Sequence, residues 1–500
     1  MAEDYSVDVD FVWLRDAAGK AVSLLAWGDS VSVVSKDDRR FQVTVPAWRT
    51  DSDGALVRFD QSGFLQRRTR IGGKTREVAV PVRDSKVLRV TFVDVQQGDA
   101  TLIQTPGGKV VTIDGGENVL FARFLASRFP DTTAGNRQDI DAMVVSHGDG
   151  DHFAGLPEIR DSETNSSARK RFFARPLRVY HNGLVKRPTS VATEDMFGAT
   201  KKSGSRTVIT GLESDLLAVP STQMNKHFKS WRTALAGWRD DAGPIEFRRL
   251  ARGDDDAFDF LTPEGIGVEV LGPVLTSAGG TPGLLYLREP KAGVPMAHLE
   301  HQDSTSLSDS HTVNGHSLVL RLTYGNVRMM FAGDLNNSIE ERLAKDHDDG
   351  KVDLTSEVFK VPHHGSHEFT PGFLRAVSPL VSVISSGDEG TRTEHIHPRA
   401  TLVNSLGRSS RDDSGLVFVT EMVAFFQMVG WSVRDVPPGA ARGSSFFAFK
   451  RTAYGLVRVR TDGHRMLVFT DSGERDIKEA YAYEVASPGA AVPVLVQKVG

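Results

Sequence analysis

Residues 146–152 read Ser-His-Gly-Asp-Gly-Asp-His, and this stretch restricts the possible folds of the chain more than any other. Four side chains that can bind divalent metals fall within six positions, namely His147, Asp149, Asp151 and His152. They follow the apolar run 142–145, which is typical of a buried strand. Because a strand that ends in a glycine-containing loop can turn several side chains toward one point, the stretch predicts a metal centre. The alternative is a polar surface loop that happens to hold two histidines.

Composition limits the class of protein. The chain has 500 residues, a length that indicates two to three domains. Apolar residues make up 39% and there are 47 glycines, as in an ordinary globular protein. The net charge of −4 gives no overall attraction to nucleic acid or membrane, so local patches must be considered separately. There are no cysteines, so a metal must be held by His, Asp, Glu or backbone oxygen.

Targeting signals are not evident in the sequence. The first five residues are acidic and lack an apolar core, which argues against a signal peptide. An apolar run of about 18 residues is not found, so we expect no transmembrane helix and no membrane partner. Together with the lack of cysteine, these patterns favour a cytoplasmic protein.

The spacing His-x-Asp-x-Asp-His resembles the metal motif of the metallo-β-lactamase fold, with Asp149 where the commonest form has a second histidine. This variant is similar to the ComEC-like branch, the hydrolase domain of bacterial DNA-uptake proteins and its soluble relatives. Other blocks resemble the branch in the same order: 92–100, 111–116, 317–322, 331–334, 361–366 and 395–398. The resemblance implies an α/β protein with the four-layer αββα metallo-β-lactamase fold, without the membrane channel part.

The same resemblance assigns roles to residues beyond the first motif. Asp334 ends the apolar run 328–333 and is implied to bridge two metals, the alternative being an N-cap for the next helix. His363 and His364 end another apolar run, and the sequence leaves open which of them binds metal and which faces substrate. His397 resembles the branch's last histidine and is expected to stabilise charge in the transition state, or to have a structural role.

The resemblance thus implies two divalent metal ions. The expected ligands are His147, Asp149, Asp151, His152, Asp334, His363 and His364. Because Asp149 and Asp334 make the site rich in oxygen, Mn²⁺ rivals Zn²⁺ as the bound ion. Asp151 is also expected to orient the attacking water.

Supporting residues follow from the same comparison. His311 or His316 is placed to complete the first metal site, the alternative being a solvated loop histidine. Asp94, Asp99 and Asp114 are expected to orient ligand imidazoles rather than to bind metal.

Domain boundaries follow from changes in pattern. Short alternating runs within residues 1–85 predict a small β-barrel whose pattern is SH3-like. The alternative is a β extension of the main domain. Residues 86–471 are expected to form the hydrolase domain, with an insertion at about 160–262 and an active-site loop at about 275–315. Residues 472–500 are expected to be a C-terminal tail or an ordered edge.

The start of the expected insertion is basic and suggests a substrate. Aromatic residues alternate there with Arg169, Lys170, Arg171 and Arg175. This composition favours single- or double-stranded nucleic acid, through phosphate contacts and base stacking, although a strand with solvated flanks is the alternative. We therefore expect a metal-dependent phosphodiesterase or nuclease. The alternatives are a hydrolase of a lactone, an amide or a choline-type phosphoester, and a non-catalytic binding module, which the complete ligand set argues against.

Overall fold

The computed structural model describes most of the chain, and its residues fall in nine ranges: 3–50, 56–290, 303–387, 397–412, 415–420, 431–434, 446–449, 455–471 and 479–499. Residues 291–302 of the expected active-site loop, the first two residues of the 395–398 block and residues 472–478 lie outside these ranges.

The N-terminal region is built of short strands, as the alternating pattern predicts. They are β1 (Glu3–Val7), β2 (Phe11–Arg15), β3 (Ala21–Ala26), β4 (Ser30–Lys36), β5 (Arg40–Thr50), β6 (Leu56–Gln66), β7 (Arg68–Ile71), β8 (Lys74–Glu77) and β9 (Ala79–Pro81). Hydrogen-bonded neighbours run in the order β3-β2-β6-β5-β4-β1-β9. The inward-facing side chains, among them Val7, Phe41 and Val43, form a separate core. The SH3-like form of this unit stays a prediction.

The next part of the chain contains the first strands of the hydrolase region. Its elements are β10 (Leu88–Val93), β11 (Thr101–Gln104), β12 (Val110–Ile113), α1 (Leu120–Arg128), β13 (Gln138–Ile140), β14 (Ala142–Val144), α2 (Gly150–Phe153), α3 (Leu156–Ser162), β15 (Ala174–Pro176), β16 (Arg178–His181), β17 (Thr200–Ser203), β18 (Arg206–Ile209), α4 (Lys226–Ala242) and β19 (Glu246–Arg249). Strands β12, β14, β16 and β19 pair in parallel, so their carboxyl ends meet at one sheet edge.

A second set of strands follows. It comprises β20 (Ile266–Gly272), β21 (Thr276–Ala278), β22 (Thr281–Leu285), β23 (Arg288–Pro290), β24 (Asp303–Leu307), α5 (Asp309–Gly315), β25 (Val319–Tyr324), β26 (Val327–Phe331), α6 (Asn337–Asp348), β27 (Val358–Lys360), α7 (Pro371–Val377), β28 (Val381–Ile384), α8 (Ala400–Ser409) and β29 (Leu416–Val419). The second sheet has the order β20-β25-β26-β27-β28-β29, with β26 to β29 parallel.

The C-terminal strands return to the first sheet. They are β30 (Trp431–Arg434), β31 (Phe446–Phe449), β32 (Leu456–Thr461), β33 (Arg465–Asp471), β34 (Ala480–Ser487), β35 (Ala490–Val494) and β36 (Lys498–Val499). The first sheet therefore has ten strands in the order β19-β16-β14-β12-β11-β10-β32-β33-β34-β35, and β36 pairs with β2 of the N-terminal sheet. Of the two expectations for residues 472–500, the ordered edge holds over residues 479–499 and the tail does not, because β34 and β35 form the edge of this sheet and bury side chains such as Ala482 and Tyr483.

The expected insertion at 160–262 also needs correction. Strands β16 and β19 belong to the first sheet, and helix α4 buries Phe228, Trp231 and Trp238 against the outer face of that sheet. Fully burying one such side chain contributes roughly 1.5–3 kcal/mol, so this segment is part of the core. Strands β17 and β18 leave the sheet to join β21 and β22 in a small sheet of four strands, and β15 pairs with β13 in a sheet of two.

The three largest hydrophobic clusters of the described residues lie around the two large sheets. One lies between the two large sheets and includes Val90 and Phe92 from the first sheet and Leu320 and Phe331 from the second. A second cluster joins helices α1, α3 and α4 to the first sheet. A third joins α6, α7 and α8 to the second sheet.

Among the described residues, the helices are all too short or too polar to cross a membrane.

Candidate metal centre

Loops at the carboxyl ends of strands from both sheets deliver the polar side chains to one place. The loop after β14 carries His147 and runs into α2, so Asp151 and His152 lie on the first turn of that helix. Asp334 follows β26 in the second sheet, and His364 follows β27. Because β26 and β27 are parallel neighbours, the two side chains start from the same edge.

Four buried residues of this region have ligand atoms within 4.8 Å of one another: Asp99, His152, Asp334 and His364. The Oδ1 atom of Asp334 lies 3.1 Å from Nε2 of His152, and its Oδ2 atom lies 3.2 Å from Nε2 of His364. The two Nε2 atoms are 3.3 Å apart. One carboxylate thus faces both imidazoles through the nitrogens that would bind a metal.

Asp99 contacts the opposite side of the same rings. Its oxygens lie 3.4 Å from Nδ1 of His364 and 3.7 Å from Nδ1 of His152, and it forms an ion pair with Lys360. An ion bound to the Nε2 atoms would lie on the other side of the rings from Asp99. We therefore assign Asp99 to orienting the two imidazoles, although it lies near His152, Asp334 and His364. Glycine at position 98 lets the loop that carries Asp99 lie close to Asp151, because a Cβ atom at this position would be 1.7 Å from the carbonyl oxygen of Asp151.

Asp151 completes the Nε2 side. Its Oδ2 atom lies 3.2 Å from Nε2 of His364, and its Oδ1 atom lies 4.0 Å from Nε2 of His152. Gln97 donates a hydrogen bond to Oδ2 at 3.3 Å. We call Asp151, His152, Asp334 and His364 the inner set.

The outer nitrogens of both imidazoles are held by fixed acceptors. Nδ1 of His152 lies 2.8 Å from Asp114, whose carboxylate also accepts hydrogen bonds from the backbone and hydroxyl of Ser146. Nδ1 of His364 lies 3.0 Å from the carbonyl oxygen of Ser385. Such partners fix the ring orientation and direct Nε2 toward the inner set.

His147 is buried beside the inner set. Its Nε2 atom has no hydrogen-bond partner among the described residues and lies 4.0 Å from Oδ2 of Asp334. Burial, reinforced by the charge of His152, lowers the pKa of His147 to about 3. The ring is therefore neutral near pH 7, with a lone pair free for a metal.

The charges of the inner set depend on one another. Burial alone would raise the pKa of Asp334, but the charges of His152 and His364 hold it well below its usual range. Burial opposes protonation of the two imidazoles, yet the surrounding carboxylates, Asp334 foremost, raise the pKa of both rings well above the usual value. Buried carboxylates need positive charge, and a divalent ion bound to these nitrogen and oxygen atoms would supply it. The residues therefore fit a divalent metal ion.

Metal binding is expected to release protons. At pH 7 His152 and His364 carry protons that an ion must displace, because the pKa of each ring is raised. While both are protonated, apparent affinity for Mn²⁺ or Zn²⁺ should fall about 100-fold per pH unit of acidification, tenfold for each proton. Calorimetric titrations in buffers of different ionisation enthalpy measure the protons released. Release of none would contradict this charge assignment, and His364→Ala should release one proton fewer than the unsubstituted protein.

Asp149 and His363 are the remaining predicted ligands, and both line a cavity of about 600 Å³. Its lining also includes Asp151, Asp334, His364 and His397. His363 is not in the inner set: its side chain is 24% exposed, and Nδ1 lies 3.8 Å from Glu368. The ring of His397 is 6.1 Å from that of His363. His364 thus faces the metal position, and His363 and His397 face the cavity.

Asp149 and the two loop histidines do not join the inner set. Asp149 is in an ion pair with Lys186, with Oδ1 at 2.7 Å from Nζ. His316 bonds through Nε2 to the carbonyl oxygen of Leu285 at 2.7 Å, and Nε2 of His311 lies 3.3 Å from the Ser338 hydroxyl. Nδ1 of His316 is buried without a hydrogen-bond partner among the described residues, so the role of His316 in completing the first metal site stays a prediction.

Comparison with known proteins agrees with this geometry. Residues 93–179 match the family model of the Metallo-beta-lactamase superfamily. The chain is a metallo-β-lactamase-fold protein of the ComEC-like branch. Over 98 residues it is 38% identical to Competence protein ComA of Neisseria gonorrhoeae. That match covers 19% of this chain and 13% of the relative, so the chain corresponds to a small part of ComA.

The basic segment of this metallo-β-lactamase-fold protein differs from its expected surface. Phe172 and Tyr180 are buried, so they cannot stack on bases. Arg175 forms a two-pronged ion pair with Asp139, and Arg171 bonds to a backbone carbonyl. Arg169 and Lys170 lie with them before the start of β16, whereas the metal centre lies beyond the ends of the parallel strands. Nucleic-acid contact by Arg169, Lys170, Arg171 and Arg175 stays a prediction.

Two lysines at the metallo-β-lactamase site were missed as site residues. Lys360 is 3% exposed within the buried strand β27, and a charged residue inside an apolar run was the available signal. Lys186 stands in the basic stretch of the sequence, and nothing in the local pattern indicates that it pairs with Asp149.

Proposed function

We propose that the protein is a metal-dependent phosphodiesterase that cleaves nucleic acid, built on the four-layer αββα arrangement. The observation that carries the proposal is the inner set, which lies at a cavity lined by three further histidines, His311, His363 and His397. The two large sheets pack against each other, and each carries helices on its other face, which supports the four-layer arrangement. One protein that is similar to part of the chain is named a competence protein, and that name favours DNA as substrate.

The residues of the site suit attack on a phosphodiester. A divalent ion held by the inner set would lower the pKa of water and stabilise negative charge on the phosphoryl group. Asp151, fixed by Gln97, would accept a hydrogen bond from the attacking water and orient it. His363 and His397 line the cavity and would donate hydrogen bonds to phosphoryl oxygens, and His397 would protonate the leaving oxygen.

A small-molecule hydrolase is the second candidate. A cavity of about 600 Å³ is within the range of small-ligand pockets, and the buried aromatic rings of the basic segment offer no stacking surface. A lactone, an amide or a choline-type phosphoester would fit such a cavity.

The test is cleavage of end-labelled single- and double-stranded DNA by protein stripped with a chelator and reloaded with Mn²⁺ or Zn²⁺. We expect cleavage with metal and none with chelator. His397→Gln should slow cleavage about 100-fold, the scale of a lost general acid, while metal content stays unchanged. Turnover of lactones or small phosphoesters without DNA cleavage would contradict the nuclease proposal and favour the second candidate.

The basic segment is tested separately. If it binds nucleic acid, replacing Arg169, Lys170 and Arg171 with Ala should weaken binding of labelled single strands and reduce its salt dependence by about three phosphate contacts. Unchanged binding would show that nucleic acid does not contact Arg169, Lys170 and Arg171.

A further inference from the structure

Arginines from neighbouring strands lie side by side on the outer face of the first sheet. Arg89 of β10 is the direct partner of Arg460 of β32. The adjacent residues Val90 and Val459 face the second sheet, so both arginines project to the opposite side. That side carries helix α1 and the N-terminal strands, and the two guanidinium groups lie between them.

Helix α1 adds a third guanidinium group. Arg128 is the last residue of the helix, and its Nε donates a hydrogen bond to Oε1 of Gln104 at 2.8 Å. Gln104 is the direct partner of Arg89 on the neighbouring strand β11. We call Arg89, Arg128 and Arg460 the arginine row.

The turn between β3 and β4 closes the other side of the arginine row. Arg460 donates through Nε to the carbonyl oxygen of Trp27 at 3.2 Å, and Arg89 donates through Nη1 to that of Gly28 at 3.2 Å. Asp29 follows in the same turn, with Oδ1 3.9 Å from Nη2 of Arg460. In the part of the chain that the structure describes, this single carboxylate pairs with the row, which leaves an excess of two positive charges.

The row also offers buried donors that the described chain does not use. Arg460 is 2% exposed and its Nη1 atom has no hydrogen-bond partner among the described residues, and the same holds for the buried Nε atom of Arg89. Burial, and then the charge of Arg458, lowers the pKa of Arg460 well below its usual value. Burial, and then the charge of Arg89, lowers the pKa of Arg128 to about 9. Buried charges in proteins are normally paired, so this position favours an anion.

We propose that the arginine row is a binding site for a small anion that carries a diphosphate group, held between the N-terminal strands and the first sheet. Guanidinium groups match phosphate oxygens with two parallel hydrogen bonds. Side chains directly opposite each other on paired strands have Cβ atoms only about 4.5–5.5 Å apart, so two of them can reach one phosphate group. A nucleic-acid backbone is the less suitable ligand, because it needs an exposed strip and Arg460 is buried.

This anion site is separate from the metal centre. Strands β10 and β12 run in the same direction, since each is antiparallel to β11. Arg89 lies near the start of β10, whereas the metal centre lies beyond the carboxyl ends of the parallel strands. The inference therefore does not rest on the proposed function, and a bound anion would tie the N-terminal strands to the hydrolase region.

The test is isothermal titration calorimetry of the full-length protein with sodium diphosphate in metal-free buffer at constant ionic strength. We expect the unsubstituted protein to bind one equivalent. Arg460→Met and Arg128→Gln should each weaken binding about 10- to 100-fold, the scale of a lost hydrogen bond to a charged group. Arg239→Met is the matched control, because Arg239 is 51% exposed and its loss should leave the affinity unchanged.

Asp334→Asn separates this site from the metal centre and should bind diphosphate as the unsubstituted protein does. Loss of binding in that variant would place the anion at the metal centre and overturn the inference. Failure of the unsubstituted protein to bind diphosphate would overturn it even if Arg460→Met did not fold, and so would full affinity in a folded Arg128→Gln variant.

Two further titrations identify the ligand. ADP that binds more tightly than diphosphate would indicate a nucleotide, and equal or weaker binding would indicate an inorganic anion; either result supports the site. A labelled single-stranded oligonucleotide gives the opposing outcome. If its binding required Arg460 but diphosphate did not displace it, the arginine row would be a nucleic-acid contact and the inference would be wrong.

Discussion

Asp334→Asn is expected to abolish metal binding and metal-dependent hydrolysis while the fold remains intact. The carboxylate of Asp334 contacts both imidazoles of the inner set, through separate oxygens. An amide keeps the shape but loses the charge, and its NH₂ group would face a metal ion. The loss of affinity should exceed the roughly 10- to 100-fold that removal of an outer partner costs. Calorimetric titration with Mn²⁺ and Zn²⁺ measures it.

The control for this prediction is Asp349→Asn. Asp349 lies on the surface after α6 and pairs with Lys345 and Lys351, so its loss should leave metal affinity unchanged. Tight metal binding by a folded Asp334→Asn variant would show that Asp334 is not a ligand and would remove the inner set as we have defined it.

The second large effect is expected from Glu357→Gln, in a part of the second sheet distant in sequence from the metal motif. Glu357 is fully buried and accepts hydrogen bonds from Arg328, Arg411 and the backbone amide of Gly489. An amide leaves the two guanidinium groups without this carboxylate in a buried setting. Breaking such a pair costs about 3–5 kcal/mol of unfolding free energy.

Denaturant unfolding followed by tryptophan fluorescence measures this loss. Glu246→Gln is the matched control, because Glu246 is 57% exposed and pairs with Arg178 at 3.4 Å. Its effect should stay within about 1 kcal/mol. An equally small loss of unfolding free energy for Glu357→Gln would contradict the prediction and would indicate that water reaches the network around Glu357.

Much of the site could be predicted because local patterns determine it. Asp334 and His364 follow apolar runs closely, His152 belongs to the motif that follows another such run, and parallel strands place such ends at one edge. The resemblance to the ComEC-like branch then selected which of these ends belonged together. The choice between His363 and His364 could not be made from the sequence, since it depends on backbone direction after Pro362, where both histidines have positive φ.

Asp149 shows why the rest was not predictable. Its spacing places it with metal ligands, but its partner Lys186 comes from a loop beyond two further strands. Pairing across that separation depends on how β16 sits beside β14, which no local pattern records. The same limit applies to Phe172 and Tyr180, because composition gives their residue type but not that they face the buried side.

The fold was clearest where strands are joined by short turns. Two apolar runs that flank a turn at 461–463 are typical of a hairpin, and β32 and β33 form one. The final strands were harder, because β35 is largely exposed and alternation along 490–494 is weak. Their position depends on the edge offered by β33 and β34, which lies outside the local sequence.

The order of strands in the first sheet has a consequence for biosynthesis. Strand β10 is hydrogen-bonded to its sequence neighbour β11 on one side, but on the other side to β32, where Leu88 pairs with Thr461. During translation one edge of an apolar strand therefore stays unpaired until the distant residues 456–461 of β32 have left the ribosome. Such edges recruit other strands, and distant pairings form slowly. We expect the nascent protein to depend on chaperones, and its yield on refolding to fall as protein concentration rises.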